Sequence, residues 1–170
     1  MQLIKERDLE PTWEIEMGAK PVFIDQCVRG VPLDLERWEE ALKPLEERAK
    51  QLKAKADKLA PPHPDGLQWG WRSTQGDRRA VLAFKLAGLD VPDLKAETLS
   101  RFDHPLAKAV AEYREVANEL SRHKSWPEYY ENGHIFPQVN PAQASTGRVS
   151  CSDPNIQSLD KKVPHYRRCI

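Results

Sequence analysis

Eight apolar residues recur at alternating steps of three and four: Leu35, Trp38, Leu42, Leu45, Ala49, Leu52, Ala56 and Leu59. No strand places residues of that spacing on one face, so the stripe demands a helix of about seven turns. Lys and Glu fill the other faces, and Asp34 stands where an N-cap belongs. Pro44 lies inside the span and is expected to bend it. The stripe fits two arrangements, an isolated coiled coil or one arm of a long antiparallel helix pair. The short connection Arg29-Gly30-Val31-Pro32-Leu33-Asp34 favours the pair, because a second helical pattern ends just before it.

That second pattern covers residues 11–28. Pro11 suits a first turn and Gly30 the position past the end. Trp13, Met17, Phe23, Ile24 and Cys27 give an apolar side, and Gly18 and Pro21 predict a kink or break. Residues 61–66 (PPHPDG) read as a loop and 67–72 as extended. Ser73 or Thr74 is expected to cap a helix over 75–87, ended by Gly88. A small turn falls around 98–102. Pro105 then opens a helix over 106–124, with Leu106, Ala109, Val110, Tyr113, Val116, Ala117 and Leu120 on its apolar side. After the turn Glu131-Asn132-Gly133 the period changes from 3.6 to 2, and 135–139 and 148–150 read as short strands. The fold class expected is mainly α with a small β segment. Residues 1–130 form a helical body, with 1–10 as a linker, and 131–170 form the β part.

Composition removes several function classes. Lys+Arg and Asp+Glu balance at 26 each, so net charge points to no nucleic-acid partner. A local excess stands at the end, where Lys161, Lys162, Arg167 and Arg168 have no acid among them in the last ten residues. Cys27, Cys151 and Cys169 have no C-x-x-C spacing, and the five His are scattered, which argues against a zinc or redox centre. A reduced, cytoplasmic protein is expected. No apolar h-region opens the sequence and no run approaches a membrane span, so no membrane partner is expected.

The chemistry concentrates in residues 146–157, T-G-R-V-S-C-S-D-P-N-I-Q. Small residues let backbone approach a ligand, Arg148 offers a planar fork of donors, and Asn155 and Gln157 carry both donors and acceptors. Such a set suits the minor-groove edge of a base pair, where acceptors occupy similar places in every pair. The same residues also make an ordinary polar β-turn, and chemistry alone leaves both readings open.

The segment closely resembles the T-G-R-L-S-S-x-[DE]-P-N-L-Q stretch of family A (DNA polymerase I-like) DNA polymerases. The likeness extends over nearly the whole chain and in order. V-R-G-V-P-L-D (28–34) resembles the turn before the family's long thumb helix. H-P-L (104–106), E-Y-R (112–114) and K-S (124–125) resemble its later thumb helix. G-H-I-F-P-Q-V-N (133–140) resembles the strand leading to T-G-R, and H-Y-R-R-C-I (165–170) the lead-in to the first palm motif. The resemblance implies a helical thumb over 1–130 and the start of the palm over 131–170. It implies that Arg148 contacts the primer-terminal base pair from the minor groove, and that Asn155 and Gln157 hydrogen-bond the primer-template duplex. Lys124 and Ser125 would lie where the thumb meets the DNA backbone, with Arg114 near it. Plainer roles stand beside these: Arg114 pairing with a Glu of its own helix, and Lys124 as a helix C-terminal cation.

Ser158, Leu159 and Asp160 depart from the family's [NQ]-I-P continuation, which puts one further DNA contact and the local backbone in doubt. The family holds Mg2+ with carboxylates, the first in a D-Y-S-Q-x-E motif shortly after the R-R-x-[FI] segment. This sequence stops before that motif, so no catalytic residue and no metal ligand is expected in it. The expectation is therefore a fragment of a DNA-directed DNA polymerase, serving replication or repair. It would bind primer-template DNA, and the palm and fingers portion would supply Mg2+ and catalysis. A stand-alone, non-catalytic, thumb-like nucleic-acid-binding module is the alternative. A structural coiled coil, resting on the Leu35–Leu59 stripe alone, would have no use for residues 146–157.

Overall fold

The computed structural model describes residues 4, 6–72, 77–141, 148–159 and 164–170. The helices are α1 (Glu10–Arg29), α2 (Leu35–Leu59), α3 (Asp77–Leu86), α4 (Ala96–Leu99), α5 (Pro105–Lys124) and α6 (Pro164–Arg167). The strands are β1 (Val31–Pro32), β2 (Tyr130–Glu131), β3 (His134–Ile135), β4 (Gln138–Asn140) and β5 (Ser150–Ser152), with 3-10 turns at Trp126–Tyr129 and Ile156–Ser158. The mainly α class with a small β segment is what the chain adopts. The cap expected at Ser73 or Thr74 lies outside the described residues. Residues 67–72 form no strand. The chain divides into two compact units, Glu40–His123 and Met1–Glu39 with Lys124–Ile170.

The Glu40–His123 unit is built on α2 and α5. Leu42, Ala49, Leu52 and Ala56 are buried, as the stripe requires, while Leu45 is half-buried and Leu59 exposed. The α5 residues Leu106, Ala109 and Val110 join Trp69, Trp71, Phe84, Val91 and Leu94 in one core with Ala56. A buried indole N–H must find an acceptor. Trp69 donates to the Pro61 carbonyl at 2.8 Å, and Trp71 to Asp57 Oδ1 at 2.6 Å. Lys53 Nζ holds the other Asp57 oxygen at 2.6 Å. These ties fix residues 67–72 without a ladder.

In the other unit α1 runs unbroken from Glu10 to Arg29 through Gly18 and Pro21, which rules out the break of the expected kink or break. No α1 residue is buried. Of its expected apolar side, Phe23 and Cys27 are half-buried and Trp13, Met17 and Ile24 exposed. The buried seam anticipated for an arm of 11–28 and 35–59 therefore exists on α2 alone. Helix α1 meets β4, where Cys27 Sγ lies 3.9 Å from the Pro137 carbonyl oxygen.

The expected strand over 135–139 is divided. Its first part, β3, lies between β1 and β2 in an antiparallel sheet, with Val31 opposite Ile135 and Tyr130 opposite Ile135 on the other side. Its second part, β4, pairs with β5, Val139 opposite Cys151. Pro137, which has no N–H for a ladder, marks the division. Asn132 (φ 49°) and Gly133 (φ 88°) join β2 to β3 in a two-residue turn that requires positive φ at both positions. Trp38 stacks on Trp126 at 4.4 Å and lies 5.3 Å from the Tyr166 ring, all three fully buried.

The link from α1 to α2 is held by distant chain. Leu33 N–H donates to the Gly133 carbonyl at 2.9 Å, and Asp34 N–H to that of Cys169 at 2.7 Å. Gly30 has φ 68°, and a Cβ there would stand 2.8 Å from the Phe136 ring, so the position excludes any side chain.

Candidate nucleic-acid interface

Residues 148–158 fold back on themselves. Strand β5 anchors the segment on β4, and Cys151 is buried between them and the turn that follows, its Sγ 3.7 Å from the Pro154 carbonyl. Burial pushes the Cys151 thiol above its ordinary range, so it stays protonated. Asp153 turns the chain with φ 49°. Its carboxylate accepts from the Tyr129 hydroxyl at 3.4 Å, and desolvation together with that carboxylate raises the Tyr129 phenol.

Asn155 then caps the Ile156–Ser158 turn. Its Oδ1 accepts from Gln157 N–H at 3.0 Å, and its carbonyl accepts from Ser158 Oγ at 2.6 Å. A backbone N–H only donates, so the facing Asn155 atom is the oxygen, and its NH2 group is the side of the amide outside that bond. Gln157 Nε2 donates to the Val149 carbonyl at 3.3 Å. Arg148, Asn155 and Gln157 are all exposed. The three sequence-predicted residues thus belong to one small self-bonded surface that presents N–H donors. Thr146 and Gly147 lie outside the described residues.

Lys124 is exposed at the last position of α5, and Ser125 stands at the N-cap of the Trp126–Tyr129 turn without a side-chain capping bond. Both belong to the same compact unit as 148–158. Arg114 belongs to the other unit. Its Nη1 donates to the Trp71 carbonyl at 2.8 Å, which ties it to the 67–72 segment. Sequence reasoning missed Arg72, which donates to Ser121 Oγ and lines an open groove of about 1030 Å3 with Lys95, Arg114 and Arg122. Glu97, Glu112 and Glu115 line the same groove, so its walls alternate in sign. No spacing along the sequence signals that convergence. Among the described residues no group of three or more His, Cys, Asp and Glu gathers to hold a metal ion, and no helix is long and apolar enough to cross a membrane.

The model of DNA polymerase family A matches residues 38–169. DNA polymerase I of Aquifex aeolicus (strain VF5) is 25% identical over 167 residues, which cover 90% of this chain and 26% of that protein. DNA polymerase DpoZ of Vibrio phage phiVC8 is 28% identical over 182 aligned positions, covering 95% of this chain and 28% of that one. The thermostable DNA polymerase I of Thermus filiformis is 26% identical over 169 residues, 91% of this chain and 19% of its own. This chain therefore spans between 19% and 28% of the length of these relatives. The POL domain of Pol1 from M. smegmatis, solved in complex with DNA primer-template and dNTP, superposes with a TM-score of 0.73 at 17% identity. That superposition covers 91% of this chain and 29% of the other, and it speaks for the fold.

Proposed function

Because the chain belongs to DNA polymerase family A, we propose that it grips primer-template duplex DNA for such an enzyme, residues 1–130 acting as thumb and 131–170 as the start of the palm. The observation that carries the reading is the self-bonded surface at 148–158. Its exposed Arg148 guanidinium and Asn155 amide offer donors, and the minor groove offers acceptors, purine N3 and pyrimidine O2, at every base pair. Contacts of that kind hold a duplex whatever its sequence, as a template-copying enzyme requires. Arg148 aligns the primer-terminal pair. Lys124 and Ser125 meet the phosphate backbone, where the charge of Lys124 adds affinity and carries no sequence information.

Mg2+ supplies charge neutralisation at the transferred phosphate in this reaction class; the roles proposed for Arg148, Lys124 and Ser125 are contacts to the duplex. The part played by this chain is grip and alignment.

Fluorescence anisotropy with a primed duplex tests the reading. Binding should be independent of sequence and should weaken as salt rises, with a shallow dependence worth about two to four phosphates. Lys124→Ala should weaken all duplexes alike and reduce that dependence by about one phosphate. Absence of duplex binding at low salt would remove the grip from this chain.

A further inference from the structure

We infer that Gln157 is a positioning residue for Arg148, acting on the primer terminus through the backbone that carries that arginine more than by touching DNA itself. The inference rests on the proposed minor-groove role of Arg148. Its own ground is the bond from Gln157 Nε2 to the carbonyl of Val149, the residue after Arg148.

Three features make the bond a strut for the arginine. Gln157 is itself fixed, because its N–H is held by Asn155 Oδ1 at 3.0 Å. Arg148 and Val149 lie just before β5 and outside its ladder, which pairs Ser150, Cys151 and Ser152 with β4. The Val149 carbonyl thus takes a bond from a side chain eight residues ahead, beside and not within that ladder. Finally, a planar guanidinium read against a single base-pair edge depends on where its backbone stands, and displacements of about 1 Å in aligned groups cost rates on the order of a hundredfold. The amide that donates to Val149 has one N–H remaining, so a direct DNA contact by Gln157 is the rival account.

The two accounts separate in single-turnover nucleotide incorporation by the full-length polymerase that carries this segment. Gln157→Met keeps the length and bulk of the side chain and removes the donor. It should slow incorporation about two- to tenfold, the worth of one hydrogen bond of this kind. Arg148→Ala should slow it more, and the double variant should be no slower than Arg148→Ala alone, since a strut has no effect once its load is gone. The loss with Gln157→Met should also vanish on a primer ending in 3-deazaguanosine, which lacks the N3 acceptor proposed for Arg148. Placed one pair back, the same analogue should leave the loss intact.

A double variant slower by the product of the single losses would overturn the inference, as would a loss that persists on the 3-deaza terminus. So would normal incorporation by Gln157→Met. Normal incorporation by Arg148→Ala would overturn the minor-groove reading as well. Gln157→Ala provides a second donor-free side chain, and an unchanged thermal midpoint in either variant separates a local displacement from loss of the fold.

Discussion

Helices α1 and α2 are both long, both contain a proline, and both are rich in apolar residues, yet α2 buries most of its stripe, Trp38, Leu42, Ala49, Leu52 and Ala56, and α1 buries no residue. Spacing accounts for the difference. In α2 the apolar residues keep to one side, and Lys, Glu and Arg keep to the other. In α1, Trp13, Ile15, Met17, Val22, Ile24 and Val28 point in several directions and stay exposed, while Ala19, Phe23 and Cys27 are half-covered. Apolar content alone therefore says little about what a helix contributes to stability, while apolar content confined to a stripe says a great deal.

The largest effect that this contrast predicts is at Leu52. A carboxylate placed there by Leu52→Asp would lose its water without gaining a partner, and stability should fall by about 3 kcal/mol or more, read as the urea midpoint. Leu45→Asp, at a half-buried position of the same stripe, should cost clearly less. Equal losses at the two sites would break the link drawn here between stripe position and burial.

A second test uses charge created by pH inside the same helical unit. His123 at the end of α5 is fully buried, and burial first and the neighbouring Arg122 charge second hold its imidazole down to about 4. An unfolded histidine accepts its proton near 6.5. Between those values the unfolded chain binds more protons, so stability falls as pH falls, with a loss of roughly 3 kcal/mol complete below about pH 4. Urea unfolding at pH 7.5, 6.0 and 5.0 should show the decline, and His123→Phe should flatten it.

The smallest effect belongs to α1. Ile15 is 73% exposed, and Ile15→Asp should change stability by no more than about 0.5 kcal/mol. A loss as large as that at Leu52 would show α1 to be a core helix after all.

The sequence made α2 and α5 legible because their packing is written in local spacing. The exposure of α1 was missed because its expected apolar side left out Ile15, Val22 and Val28, which spread apolar surface to its other sides. The division of the strand over 135–139 was missed too, where Pro137 was the available signal. The residues of the candidate interface were legible from their motif as a set, but their bonding was not. Arg114 meets the Trp71 carbonyl 43 residues away, and Gln157 meets the Val149 carbonyl across a turn. Side-chain to backbone bonds of this kind leave no periodic trace, because any carbonyl accepts and backbone carbonyls carry no residue identity.

The link between the two long helices has a consequence for time. Leu33 bonds to Gly133, Asp34 to Cys169, and Val31 lies opposite Ile135, each across a hundred residues or more. Translation adds about 5–20 residues per second, so Leu33 waits roughly 5 to 20 s for its partner and Asp34 longer still. The helical unit from Glu40 to His123 faces a shorter delay, as its struts from Trp69 to Pro61 and from Trp71 to Asp57 close over short loops and its tie from Lys55 to Glu112 spans 57 residues. On the ribosome it has the means to settle first. The joint at Gly30, which admits no side chain, is completed only when Phe136 and Cys169 arrive, and α1 stays unanchored through that interval.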